Sequence, residues 1–137
     1  VVRTLRLFVY GSLRRDVPGN RQDVFGDAPD FLGRGRVRGR LLDLGAYPGL
    51  VPAITRNEWV HGELYSITGW RSLARLDAYE DYDPRRPERS LFLRREVRVA
   101  LDSGESNTAW AYFYAGPAAR GRHIASGDYL DVAAGGR

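Results

Sequence analysis

The chain has no cysteine among its 137 residues. Disulfide scaffolds, thiolate zinc sites and thiol nucleophiles are therefore excluded. Histidine is scarce: only His61 and His123 are present, which argues against a multi-histidine metal centre, and no metal site is expected. No apolar run approaches the ~20 residues that a membrane helix needs, so no membrane partner is expected. The opening VVRTLRLFVYG carries arginines inside an alternating pattern and reads as a strand, not as a signal peptide. These absences favour a soluble, cytoplasmic protein. Lysine is missing too, so all 21 basic residues are arginines and the net charge is +4. Such a balance raises nucleic acid as a partner. The arginines are scattered, however. Their densest group, Arg34, Arg36, Arg38 and Arg40, falls on alternate positions and so on one face of a strand. It reads as a solvated sheet face, and no nucleic-acid partner is expected.

What is present is ordinary globular material, with 43% hydrophobic and 28% charged residues, enough for one domain spanning residues 1–137. Leu5, Leu7 and Val9 alternate through a first strand that ends at Tyr10-Gly11. Residues 14–22 form a loop, with a short helical piece to Phe25. Residues 33–45 read as one strand, 46–57 as a long irregular stretch and 58–67 as the next strand. Thr68 is an N-cap candidate for a helix over 70–79, with Leu73 and Leu76 inside. Residues 81–90 read as irregular. Strands over 91–101 and 107–115 follow, and a short element lies within 126–132. About five strands with one clear helix predict an α+β class and a small mixed sheet curled into a barrel with long loops.

Three places could carry chemistry. Tyr10-Gly11-Ser12-Leu13 ends a strand. Glycine there permits positive φ, and successive N–H groups can converge on an anion, though a plain turn has the same sequence. Ser12 as a nucleophile would need a nearby base, and His61 and His123 both lie at positions suited to structural roles. Glu80 is the second place. At about 100° per residue it projects on the side of Leu73 and Leu76, at the helix C-terminal end. If it is not turned to water, the helix end and burial both favour its neutral acid, which suits a general base or acid. Asp77 shares that face as a structural hydrogen-bond acceptor. The third is Trp110, Tyr112 and Tyr114, which lie on one strand face and read first as core, with one hydroxyl free to enter a pocket.

LFVYGSLRRDVPGN (7–20), LGAYPGLVP (44–52), VHGELYSI (60–67) followed by LDAYEDYDP (76–84), WAYFYAG (110–116) and SGDYL (126–130) resemble, in order, the gamma-glutamylcyclotransferase-like family. The short loop after YGSL is similar to its small bacterial and gamma-glutamylamine-type branch. The resemblance implies cyclisation of a small γ-glutamyl substrate to 5-oxoproline with loss of an amine or amino acid, and no cofactor. It puts Glu80 at the catalytic position, with Tyr10, Gly11, Ser12 and Leu13 holding the glutamyl end. Asn20, Tyr47, Pro48, Arg94 and Tyr112 are further pocket candidates, and loops 14–22 and 46–57 are expected to rim the pocket. Two departures stand out. Asp81 follows Glu80 where the family often has glycine, either raising the Glu80 pKa or capping the helix end. Phe92 stands where a tyrosine is often found. A non-catalytic small-molecule binder on the same scaffold is the alternative. The oligomeric state is not legible.

Overall fold

In a computed structural model the described residues are 4–26 and 29–133, so Val1, Val2 and Arg3 of the expected first strand lie outside them. The strands are β1 (Thr4–Val9), β2 (Asp30–Arg38), β3 (Arg40–Asp43), β4 (Pro48–Val51), β5 (Trp59–Thr68), β6 (Phe92–Leu101), β7 (Ser106–Tyr114) and β8 (Arg122–His123). The helices are α1 (Gly69–Tyr79) and the single turn α2 (Leu130–Ala133). Strands β1, β5, β2, β6 and β7 lie side by side, and the ring closes where Leu7 of β1 pairs in parallel with Trp110 of β7. The remaining neighbours in the ring are antiparallel, which makes this a small mixed barrel. β4 joins β7 in parallel at Leu50–Phe113, and β3 and β8 continue outward from it.

The alternation in β1 has a consequence that its sequence hides. Leu7, Phe8 and Val9 are all buried, because β1 is a wall with apolar material on both faces. Phe8, Val37, Val60, Leu64, Val99, Ala109 and Ala111, drawn from all five ring strands, pack together inside the barrel. Leu7, Val9, Tyr65, Ile67, Tyr112 and Tyr114 pack on the other face, with Leu73 and Leu76 of α1 laid over them. Each buried leucine contributes on the order of 2 kcal/mol to holding the helix there. Among the described residues no helix is long and apolar enough to cross a membrane.

Several expected boundaries move. The single strand over 33–45 breaks at Gly39 into β2 and β3. A Cβ at Gly39 would lie 2.4 Å from Leu50 Cδ1 and 3.1 Å from the Val51 carbonyl oxygen, so the neighbouring strand packs closely over this break. The irregular stretch 46–57 contains β4, whose Gly49 and Leu50 are buried against a neighbouring strand. Thr68 does precede α1, but its side chain makes no capping hydrogen bond. Residues 81–90 include one 3-10 turn, Pro87–Arg89. Arg34, Arg36 and Arg38 do lie on a solvated face, with the Arg36 and Arg38 guanidinium groups 4.1 and 5.0 Å from the Trp59 ring centroid.

Candidate active site

Chain geometry brings the two leading sequence candidates together. β1 delivers Tyr10 and the turn that follows to one end of the barrel, where the C-terminus of α1 also arrives. Tyr10 is buried; its hydroxyl donates to the Tyr112 carbonyl (2.7 Å) and accepts from the Leu50 amide (3.1 Å). It thereby ties β1 to β7 and β4. Burial, with the Glu80 charge nearby, holds this hydroxyl well above its usual pKa, so it stays protonated. Gly11 is not in the positive-φ region. The requirement for glycine is steric: a Cβ there would sit 2.7 Å from Pro48 Cγ. Ser12 Oγ shares a hydrogen bond with the Tyr79 hydroxyl (2.9 Å).

Glu80 is the C-cap residue of α1, its amide donating to the Leu76 carbonyl (2.9 Å). Asp81 N–H donates to the Ala78 carbonyl (3.2 Å) and Tyr82 N–H to the Asp77 carbonyl (2.8 Å). These two bonds form a Schellman cap, and its left-handed residue is Asp81, at φ 55°. Asp81 therefore serves the helix end. Glu80 is partly buried, and burial is the sole cause that pushes its carboxyl up, to about 7.

One turn earlier, Asp77 is buried and accepts a forked pair from Arg94 Nε (2.8 Å) and Nη2 (3.1 Å), plus the Tyr112 hydroxyl (2.6 Å). Burial first, then that bond to Asp77, drives the Tyr112 pKa far upward. Asp77 thus fixes a cavity wall from behind.

The cavity measures about 250 Å³. Tyr10, Gly11, Ser12, Leu13, Tyr47, Pro48, Glu80 and Tyr112 all line it. Phe92 lines it as well, with its ring 5.8 Å from Tyr47 and 5.9 Å from Tyr114, so the wall at that position is aromatic and carries no hydroxyl. Two candidates do not line it. Asn20 spends its amide within its own loop, donating to the Arg15 carbonyl (3.1 Å) and accepting from the Gln22 amide (3.2 Å). Arg94 is consumed by Asp77. Nor do loops 14–22 and 46–57 form the rim as expected: only Tyr47 and Pro48 of the second reach it. Phe8, Val9, Tyr79, Asp81 and Leu91 complete the lining. Neither histidine lines the cavity, so Ser12 has no imidazole base.

The sequence reading passed over Glu63, a fully buried carboxylate beneath the turn. Its signal was present: an acid set between Gly62 and Leu64-Tyr65 in a strand rich in apolar residues.

Comparison with known proteins identifies the family. Residues 7–131 match the family model described as gamma-glutamyl cyclotransferase, AIG2-like. The gamma-glutamylcyclotransferase family protein YtfP of Escherichia coli K12 is 36% identical over 128 residues, covering 93% of this chain and 97% of that one. An AIG2-like protein from Mus musculus superposes with TM-score 0.66 at 27% identity, over 82% of this chain and 78% of that one. A solved gamma-glutamyl cyclotransferase superposes with TM-score 0.65 over 88% of this chain and 70% of that one. At 17% identity, that match speaks to the fold alone. The chain therefore belongs to the gamma-glutamyl cyclotransferase, AIG2-like family and is an enzyme of that kind.

Proposed function

We propose that this enzyme cyclises the γ-glutamyl group of a small γ-glutamyl amide to 5-oxoproline and releases the amine or amino acid. The observation that carries the reading is a shared cavity. The Glu80 carboxyl, raised by burial, and the Gly11–Leu13 turn face a space suited to one small ligand. The turn amides hold the glutamyl α-carboxylate. Glu80 takes a proton from the α-ammonium, and the freed nitrogen attacks the γ-carbonyl carbon to close a five-membered ring. The bond from that carbon to the leaving nitrogen then breaks as the proton on Glu80 passes to the leaving nitrogen, and the ring nitrogen gives up its surplus proton to the freed Glu80 carboxylate, from which it leaves to solvent. One carboxyl serves both transfers because a group poised near neutrality can accept and return a proton. Positioning supplies much of the rate, since both reacting ends belong to one molecule. The Tyr10 and Tyr112 hydroxyls stay neutral donors and frame the space. The reaction requires no cofactor.

The test is incubation of the purified protein with a panel of γ-glutamyl amino acids and γ-glutamyl amines, with 5-oxoproline quantified. Its release from at least one member is the expected result. Binding across the panel with no 5-oxoproline would overturn the reading in favour of a small-molecule binder.

A further inference from the structure

Beneath the turn that begins at Gly11 lies a hydrogen-bonded ring that the proposed chemistry does not use. Glu63 of β5 sits opposite Val9 of β1 and is completely buried. Its Oε1 accepts from the Arg15 amide (2.8 Å) and from the Tyr65 hydroxyl (2.8 Å). The Gln22 side-chain amide donates to the Tyr65 hydroxyl (3.2 Å) and to the Leu13 carbonyl. The ring therefore returns to the chain at two points, Leu13 and Arg15. Arg14, between them, is pinned from another side: its guanidinium forks onto Asp16 and reaches Asp128 at 2.8 Å. The turn's own backbone supplies little of this order. Arg14 N–H to Gly11 O (2.9 Å) is its internal bond, and Arg21 N–H to Ser12 O (2.7 Å) joins it to the end of the loop.

Glu63 Oε2 is also buried and has no hydrogen-bond partner among the described residues. A carboxyl group is thus held in the interior with one oxygen unpartnered, which is costly. What the arrangement gains is an acceptor for the Arg15 amide in the interior, where an unpaired N–H would be costly. That bond fixes the chain directly after Ser12 and Leu13, both of which line the cavity.

We infer that Glu63 is a positioning residue for substrate binding: through Arg15 N–H and the Tyr65–Gln22 link it holds the turn amides in the geometry that receives the glutamyl carboxylate. This rests on the reading of the turn given above. It assigns to Glu63 an effect on binding of the glutamyl end and none on proton transfer, which remains with Glu80.

The experiment measures KM and kcat for 5-oxoproline release, the Kd for 5-oxoproline, and thermal stability. It compares wild type with Glu63→Leu, Glu63→Gln and Tyr65→Phe. Glu63→Leu removes the acceptor and is expected to raise KM and Kd about tenfold or more, with kcat nearly unchanged. Glu63→Gln restores an acceptor for Arg15 N–H and is expected to recover most of that loss. Tyr65→Phe keeps the ring packed against Phe25 and Phe31 but cuts the link to Gln22, and shifts KM the same way by a smaller factor. If Glu63→Leu does not fold, Tyr65→Phe decides. Folded variants that bind 5-oxoproline as the wild type does, or that lose kcat at constant KM, would overturn the inference. A wild type that neither releases nor binds 5-oxoproline is a separate result, and it overturns the reading of the site itself.

Discussion

Replacing Glu80 with glutamine should remove a pH-dependent cost from the folded protein. Burial raises this carboxyl from 4.5 to about 7. Between those values the folded protein holds a proton that the unfolded chain has released. Stability therefore falls as pH rises across the window and levels off above it. At 1.36 kcal/mol for each tenfold change in proton affinity, the full effect is about 3 kcal/mol, and partial solvent access at Glu80 reduces it to roughly 2 kcal/mol. Glutamine keeps the shape and does not titrate. The stability difference between Glu80→Gln and wild type should thus be small near about pH 4.5 and reach roughly 2 kcal/mol above about pH 8, in favour of the variant. For a chain of this length that is a melting-temperature gain of roughly 5–10 °C. Urea or thermal unfolding of both proteins across this range reads the difference directly, because every other titrating group contributes to both curves. A gap that stays constant with pH would refute the claim that burial has raised the Glu80 carboxyl.

Asp77→Asn cannot accept the Arg94 fork and leaves a largely buried guanidinium without its counter-charge, so a stability loss of about 3 kcal/mol is expected by urea unfolding. The loss should exceed any effect on turnover in variant that remains folded. Asp81→Gly relieves a left-handed backbone at φ 55° and should stabilise the helix end by about 1 kcal/mol, read as a rise in melting temperature. The pH midpoint assigned to Glu80 should stay near its wild-type value in that variant, because burial is what raises it.

Glu80 was legible because helical periodicity places it with Leu73 and Leu76, and that phase survives in α1. The cavity's other wall was legible as a strand-ending turn, but the reason for Gly11 was not: the close neighbour, Pro48, lies far away in sequence. Asn20 and Arg94 were misplaced for the same reason. A polar side chain seen in sequence gives no sign of whether a loop carbonyl or a buried aspartate has already claimed its donors. β4 was hidden because two prolines and a glycine mark a loop locally, whereas its pairing with β3 and β7 is non-local. β8 was hidden because it is two residues long, with no periodicity to read. Glu63 was hidden because an acid within a strand gives no local sign that a distant turn packs over it and donates to it.

The most direct test of the central claim is the pH dependence of 5-oxoproline release at saturating γ-glutamyl substrate, for wild type, Glu80→Gln and a folded Asp77→Asn. The wild type should show a rate limb with its midpoint near the Glu80 value of about 7. Glu80→Gln should bind 5-oxoproline, lose roughly 10²–10⁴-fold in turnover and lose the limb, as removal of a general base requires. Asp77→Asn should keep both turnover and limb. Near-full turnover in Glu80→Gln, with abolished turnover in folded Asp77→Asn, would contradict the account and move the chemistry to the other carboxylate.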